Sequence, residues 1–241
     1  MSRIAVLLMP WGRVGSNLIN SIVQKSRSRR VWNEPLTGLQ TRVIGAGGTL
    51  ADVWPAQLDW LREYIGGSNE RVFLNVAANS LGDAAAFRDY MAEFAPAYMI
   101  LDRRDDLATA ISALRTEAWV REGVEKGETR SWAIPSGLAV SFRPFIDPKR
   151  LTAAYAIIGK GRANIQEITR DLDAPRFHYE DLVIDMPSMV EAILAAADIP
   201  PYDFKVSSGK FGSARLSDMV DNAEEVMQTA HDTGIATELT V

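Results

Sequence analysis

Ile4-Ala-Val-Leu-Leu-Met-Pro-Trp-Gly-Arg-Val-Gly-Ser-Asn-Leu18 is the stretch whose reading decides the fold. Ile4 to Met9 is a continuous apolar run, as expected of a parallel strand covered on both faces. A short loop from Pro10 to Gly15 follows, and Ser16 stands where it can cap a helix. In that helix Leu18, Ile19, Ile22 and Val23 recur at helical spacing. Strand, glycine-containing loop and helix in this order open a nucleotide-binding α/β domain.

The rest of the chain extends the same alternation. Val72–Val76 and Ala97–Leu101 read as further buried strands, with helices over Ala84–Phe94 and about Leu107–Val120. Arg150–Leu172 reads as a long amphipathic helix that could break at Gly159 and Gly161. Phe177–Leu182 reads as a strand and turn, and Pro187–Ala197 as a helix. This alternation predicts an α/β fold of three layers, a central parallel sheet with helices on both faces. No repeat, low-complexity segment or Gly/Ser/Pro-rich linker divides the chain, so residues 1–241 are expected to form a single domain, with 121–149 its least regular part.

Composition excludes several function classes. There is no cysteine, hence no disulfide scaffold, thiolate nucleophile or Cys-ligated metal. His178 and His231 are the only histidines, so no histidine-rich metal site is expected. Lys and Arg total 26 against 31 Asp and Glu, a net charge of −5, which gives no general attraction to nucleic acid. No apolar run reaches the length of a signal-peptide core or a bilayer span. A cytoplasmic protein without stable membrane insertion is expected, with a homodimer left open.

Two segments carry chemistry. In Arg13-Val-Gly-Ser-Asn-Leu18, helix-start amides and a glycine that allows close approach form an anion site, to which Arg13 adds a charge and a fork of donors. Its alternative reading is a plain strand-to-helix turn. The Gly-Lys-Ser/Thr ending of the ATP/GTP loop is absent. In Leu101-Asp-Arg-Arg-Asp-Asp-Leu107, paired arginines follow a strand and acidic residues open a helix, with Ser112 one to two turns in. The alternative here is that Arg103 and Arg104 pair with Asp105 and Asp106.

Together these segments resemble the PAPS-dependent sulfotransferases (PAPS is 3′-phosphoadenosine 5′-phosphosulfate), above all the bacterial carbohydrate enzymes of the trehalose type. Arg13–Leu18 is similar to the family's 5′-phosphosulfate loop, and Asn33-Glu34-Pro35 stands where the family has Gly-Glu-Pro. Arg104, eight residues before Ser112, matches the pair that holds the 3′-phosphate. His178-Tyr-Glu-Asp-Leu182 looks like the family's Tyr-Glu-Asp-Leu segment. The resemblance implies a P-loop-like fold, PAPS as donor without a metal, and a hydroxyl acceptor such as a carbohydrate or glycolipid.

It also implies roles. Gly15, Ser16, Asn17 and Leu18 would hold the 5′-phosphate, Arg13 would neutralise the leaving phosphate, and Arg104 and Ser112, with Arg103 in reserve, would bind the 3′-phosphate. Glu34 would be the base; otherwise it pairs with Arg29 or Arg30. Asn33 departs from the family's glycine, and no acceptor pattern is visible in 121–149. Lys205, Lys210 and Arg215 loosely match a late basic segment, and Trp119 or Trp132 could stack on a sugar. Lys25–Arg30 is a basic cluster that either attracts an anion or forms a solvated helix end. Rival readings are a nucleotide kinase with Arg13 in place of lysine, and a non-catalytic nucleotide-binding or assembly protein of the same fold.

Overall fold

Ile4–Met9 forms β1, and all six of its residues are buried because both faces of the strand are covered. A computed structural model of the protein describes residues 2–67, 69–130, 141–204 and 215–241. The strands β1, β2 (Arg30–Asn33), β3 (Val72–Ala77), β4 (Ala97–Asp102) and β5 (Arg176–His178) form one sheet in the order β2-β3-β1-β4-β5. Every pairing is parallel, with Leu7 beside Asn75 and Leu8 beside Ile100.

The order dictates which face each helix covers. From β1 the chain passes over β3 to the edge strand β2; every later crossover runs the opposite way across the sheet. Right-handed crossovers therefore put α1 (Ser16–Ser26) on one face and the helices that follow β2 and β3 on the other. Side-chain alternation agrees. Ala5, Leu7 and Met9 pack with Ile19 and Val23 of α1 and with Leu182 and Ile193, on α7 (Tyr179–Ile184) and α8 (Met186–Ala196). Ile4, Val6 and Leu8 pack with Leu36, Leu61 and Phe87, on α2 (Pro35–Gly45), α3 (Val53–Leu61) and α4 (Ala84–Ala92). The α/β fold with helices on both faces of a parallel sheet is thus present.

The chain divides into two compact units, 1–102 with 159–206, and 103–158 with 207–241. The first holds the sheet. The second contains α5 (Asp106–Glu125) and α9 (Ala223–Thr233). Residues 148–169 form one helix, α6, without a break at Gly159 or Gly161. Three other local expectations change. Ser16 is not the cap of α1: Gly15 occupies that position at φ 92°, where the turn out of the loop needs a left-handed residue, and Ser16 is the first helical residue. The strand at Phe177 is only Arg176–His178, and Tyr179–Ile184 is helical. The edge strand β2 and helices α2, α3 and α9 lie in stretches without a continuous apolar run.

Candidate functional site

The loop after β1 leaves the sheet towards one face, while the loop after its neighbour β3 leaves towards the other. Such a switch opens a crevice over the carboxyl end of the central strand, where ligands bind in open α/β sheets. Arg13 and Gly15 both have left-handed backbones, φ 76° and 92°, which fold the loop back on itself. No side chain caps α1, and no acidic residue lies in its first turn. The amides of Leu18 and Ile19 donate to Gly15 O at 3.1 and 3.4 Å, so those of Ser16 and Asn17 precede the first intrahelical bonds. A β-carbon at Gly15 would lie 3.0 Å from Tyr179 Cδ2 and 3.4 Å from Leu182 Cδ2. Glycine is needed there for both φ and space, and α7 forms a wall of the loop.

Glu34 lies at the same carboxyl edge of the sheet, directly after β2. It follows β2, precedes α2, and adopts a left-handed backbone at φ 50°, ψ 44°. Its N–H donates to Asn75 O at 3.1 Å and its carbonyl accepts from Gly38 N at 3.4 Å. Burial pushes the carboxyl pKa above the usual glutamate value, and the positive charge of Arg13 pulls it partly back. The fold thus brings Arg13 and Glu34 within electrostatic reach. Arg13 and Glu34 are also two of the five non-glycine residues with positive φ among the described residues, a costly backbone state that clusters at functional sites.

The alternative partners for Glu34 are occupied elsewhere. Arg29 is 5 % exposed and donates to the carbonyls of Ser2, Arg3 and Val72 at 2.8–3.1 Å. Arg30 pairs with Glu70 at 3.0 Å and lies over the ring of Trp32. The basic cluster is in this part a set of structural contacts.

Several residues at the carboxyl edge carried no signal in the sequence. Asp102, 5 % exposed at the end of β4, accepts from Arg162 Nε at 3.2 Å and Nη2 at 3.3 Å, and from Arg176 Nη1 at 3.2 Å. Asn164 donates to Ala78 O at 2.8 Å. A β-carbon at Gly161 would stand 1.8 Å from Pro10 O. The C-terminal half of α6 therefore touches the loops after β1 and β3 and the last residue of β4.

Arg104 and Ser112 belong to the second unit. Arg104 is exposed, just before the cap of α5. Ser112 is half-buried, seven residues beyond that cap, about 10 Å along the helix. Asp105 is the cap: it accepts from Ala108 N at 2.7 Å, and its other oxygen accepts from Glu238 N at 2.9 Å and Thr237 Oγ1 at 3.3 Å. Its oxygens thus serve the helix start and the C-terminal segment. The ring of Trp119 is covered by the Arg130 guanidinium at 3.9 Å, which leaves that face no room for a sugar. Trp132, Lys205 and Lys210 lie outside the described residues; Arg215 is exposed and bridges to Thr240.

Among the described residues no cluster of three or more His, Asp or Glu side chains is arranged to hold a metal, and no helix is long and apolar enough to cross a membrane. No known family matches the chain, and no curated protein matches it.

Proposed function

We propose that the chain is a P-loop-like sulfotransferase that binds PAPS over the carboxyl end of β1 and transfers its sulfuryl group to a hydroxyl acceptor of the carbohydrate or glycolipid class. The observation that carries this reading is a half-buried Glu34 on which the charge of Arg13 acts, together with a start of α1 that no side chain caps. The residues fit the donor's phosphosulfate: helix-start amides with no acidic residue in the first turn favour an anion, and the guanidinium matches phosphate oxygens. When bound, PAPS supplies a sulfur atom whose bond to the 5′-phosphate oxygen breaks as the acceptor oxygen bonds to it.

The chain's own work is positioning and charge compensation. The Ser16 and Asn17 amides hold the 5′-phosphate, and Arg13 neutralises the charge that gathers on its leaving oxygen. Glu34 takes the proton of the acceptor hydroxyl. Burial suits it to that task, because a higher proton affinity brings a carboxylate nearer the pKa of an effective base at neutral pH. Arg104 and Ser112 are assigned to the 3′-phosphate on the family resemblance alone.

Calorimetric titration with 3′-phosphoadenosine 5′-phosphate, beside AMP and ATP without magnesium, tests the reading. Clear binding of the bisphosphate, with AMP and ATP much weaker, is expected. Binding of ATP alone, or of none of the three, sinks it.

A further inference from the structure

The exposed end of β2, the interior of β3 and the second turn of α1 bring three asparagines together. Asn33 Oδ1 accepts from Asn20 Nδ2 at 2.7 Å and from Asn75 Nδ2 at 3.2 Å. Asn75 is fully buried and Asn20 is 6 % exposed. The side-chain oxygens of both have no hydrogen-bond partner among the described residues. Apolar residues at positions 20 and 75 would avoid the desolvation of those two oxygens, so the cluster works against stability. Its product is orientation.

What it orients is the peptide between Asn33 and Glu34. The Asn33 side chain is tied to α1 and to β3, and the Glu34 N–H donates to Asn75 O at 3.1 Å. The chain leaves this doubly held peptide directly into the left-handed conformation of Glu34, a state that persists only where the surroundings impose it. Of the charges on the elements packed around Glu34, Arg13 acts on it. Lys25 lies in the last turn of α1 and Arg42 in the last turn of α2, and Arg30 is at the far end of β2, engaged by Glu70.

We propose that Asn33, held by Asn20 and Asn75, is a positioning residue that sets the Glu34 carboxylate opposite Arg13. The proposal rests on the reading of Glu34 as the base. It also gives the asparagine in place of the family's glycine a purpose: the side chain replaces backbone freedom with a fixed turn.

The test follows the titration of Glu34 by carboxyl ¹³C NMR, with Glu34→Gln to assign the signal. Asn20→Ala leaves β2 untouched and places a good helix former in α1, so it remains informative even where Asn33→Ala unfolds; urea melts establish that each variant is folded. In Asn20→Ala and in Asn33→Ala the midpoint should fall by about half a pH unit or more, towards the ordinary glutamate value, as water reaches the carboxylate. Both variants act through one network, so the double variant should move no further than the larger single shift. An unmoved midpoint in a folded variant, or shifts that simply add, overturns the proposal. Bisphosphate binding to the unsubstituted protein separates the two readings. Midpoints that move as expected without such binding leave the positioning role in place and remove the sulfuryl-transfer reading.

Discussion

Glu34 and Arg13 carry opposite charges in costly backbone states, and each constrains what the other can do. Replacing Glu34 by Gln should leave bisphosphate affinity intact while turnover falls by about 10²-fold or more, the usual scale for a general base. Single-turnover kinetics beside calorimetry checks both halves. The same variant has a stability signature. A carboxyl whose folded pKa is raised contributes stability below its unfolded pKa, near 4.5, and loses it as pH rises through the folded value. Relative to Glu34→Gln, the natural protein should therefore weaken as pH climbs above about 4.5, so the variant melts higher at neutral pH. A thermal-melt series across pH shows this as a widening gap; a constant gap would mean the carboxyl is not held in a desolvated site. Arg104 is tested by comparison of two donors. Arg104→Ala should weaken PAPS far more than adenosine 5′-phosphosulfate, which lacks the 3′-phosphate, and equal losses would remove the assignment.

The helices show how the same residue type has opposite meanings along one element. Gly159 and Gly161 both lie inside α6, and both read in the sequence as possible breaks. Gly159 is exposed with open space where a β-carbon would go, whereas Gly161 abuts Pro10 O. Gly159→Ala should stabilise the protein by about 0.5–1 kcal/mol, the helix-propensity gain. Gly161→Ala should destabilise it by about 1–3 kcal/mol through overpacking. It should also weaken bisphosphate binding, because Pro10 begins the loop that carries Arg13. Paired urea melts and calorimetry distinguish the two glycines, and a neutral Gly161→Ala would show that α6 does not press on the loop.

Within the sheet-bearing unit, distant segments are joined by buried charge rather than by apolar packing alone. The fully buried Arg29 side chain bonds three carbonyls, at Ser2, Arg3 and Val72, and stands 3.8 Å from Asp198. Burial, with Arg71 nearby, lowers its pKa to about 10, with Asp198 opposing, so it remains charged at neutral pH. One side chain thus ties the amino terminus to the start of β3 and to the turn after α8. Arg29→Leu should cost about 3 kcal/mol, because it leaves those three carbonyls without a donor, while Asp198 keeps Arg71 as its counter-charge. A urea midpoint unchanged from the natural protein would assign the hold to the apolar core alone.

The strands β1, β3 and β4 are legible in the sequence because each is an apolar run that must be covered on both faces. β2 is not legible, since an edge strand of four half-exposed residues carries little apolar pattern. The loop after β1 was visible for a local reason: a strand end, a glycine and a helix start are consecutive in the chain. Glu34 was visible only through a family resemblance, and nothing local says that its carboxyl is buried or that Arg13 acts on it. Asp102 with Arg162 and Arg176, and Asn33 with Asn20 and Asn75, were invisible, since their partners are far apart in the chain or on different elements. The sequence by itself determined the layer architecture, because alternation and apolar runs encode which surfaces must be buried. The tertiary structure alone decided which polar groups meet over β1, because a parallel sheet gathers the carboxyl ends of its strands at one edge, however distant they are along the chain.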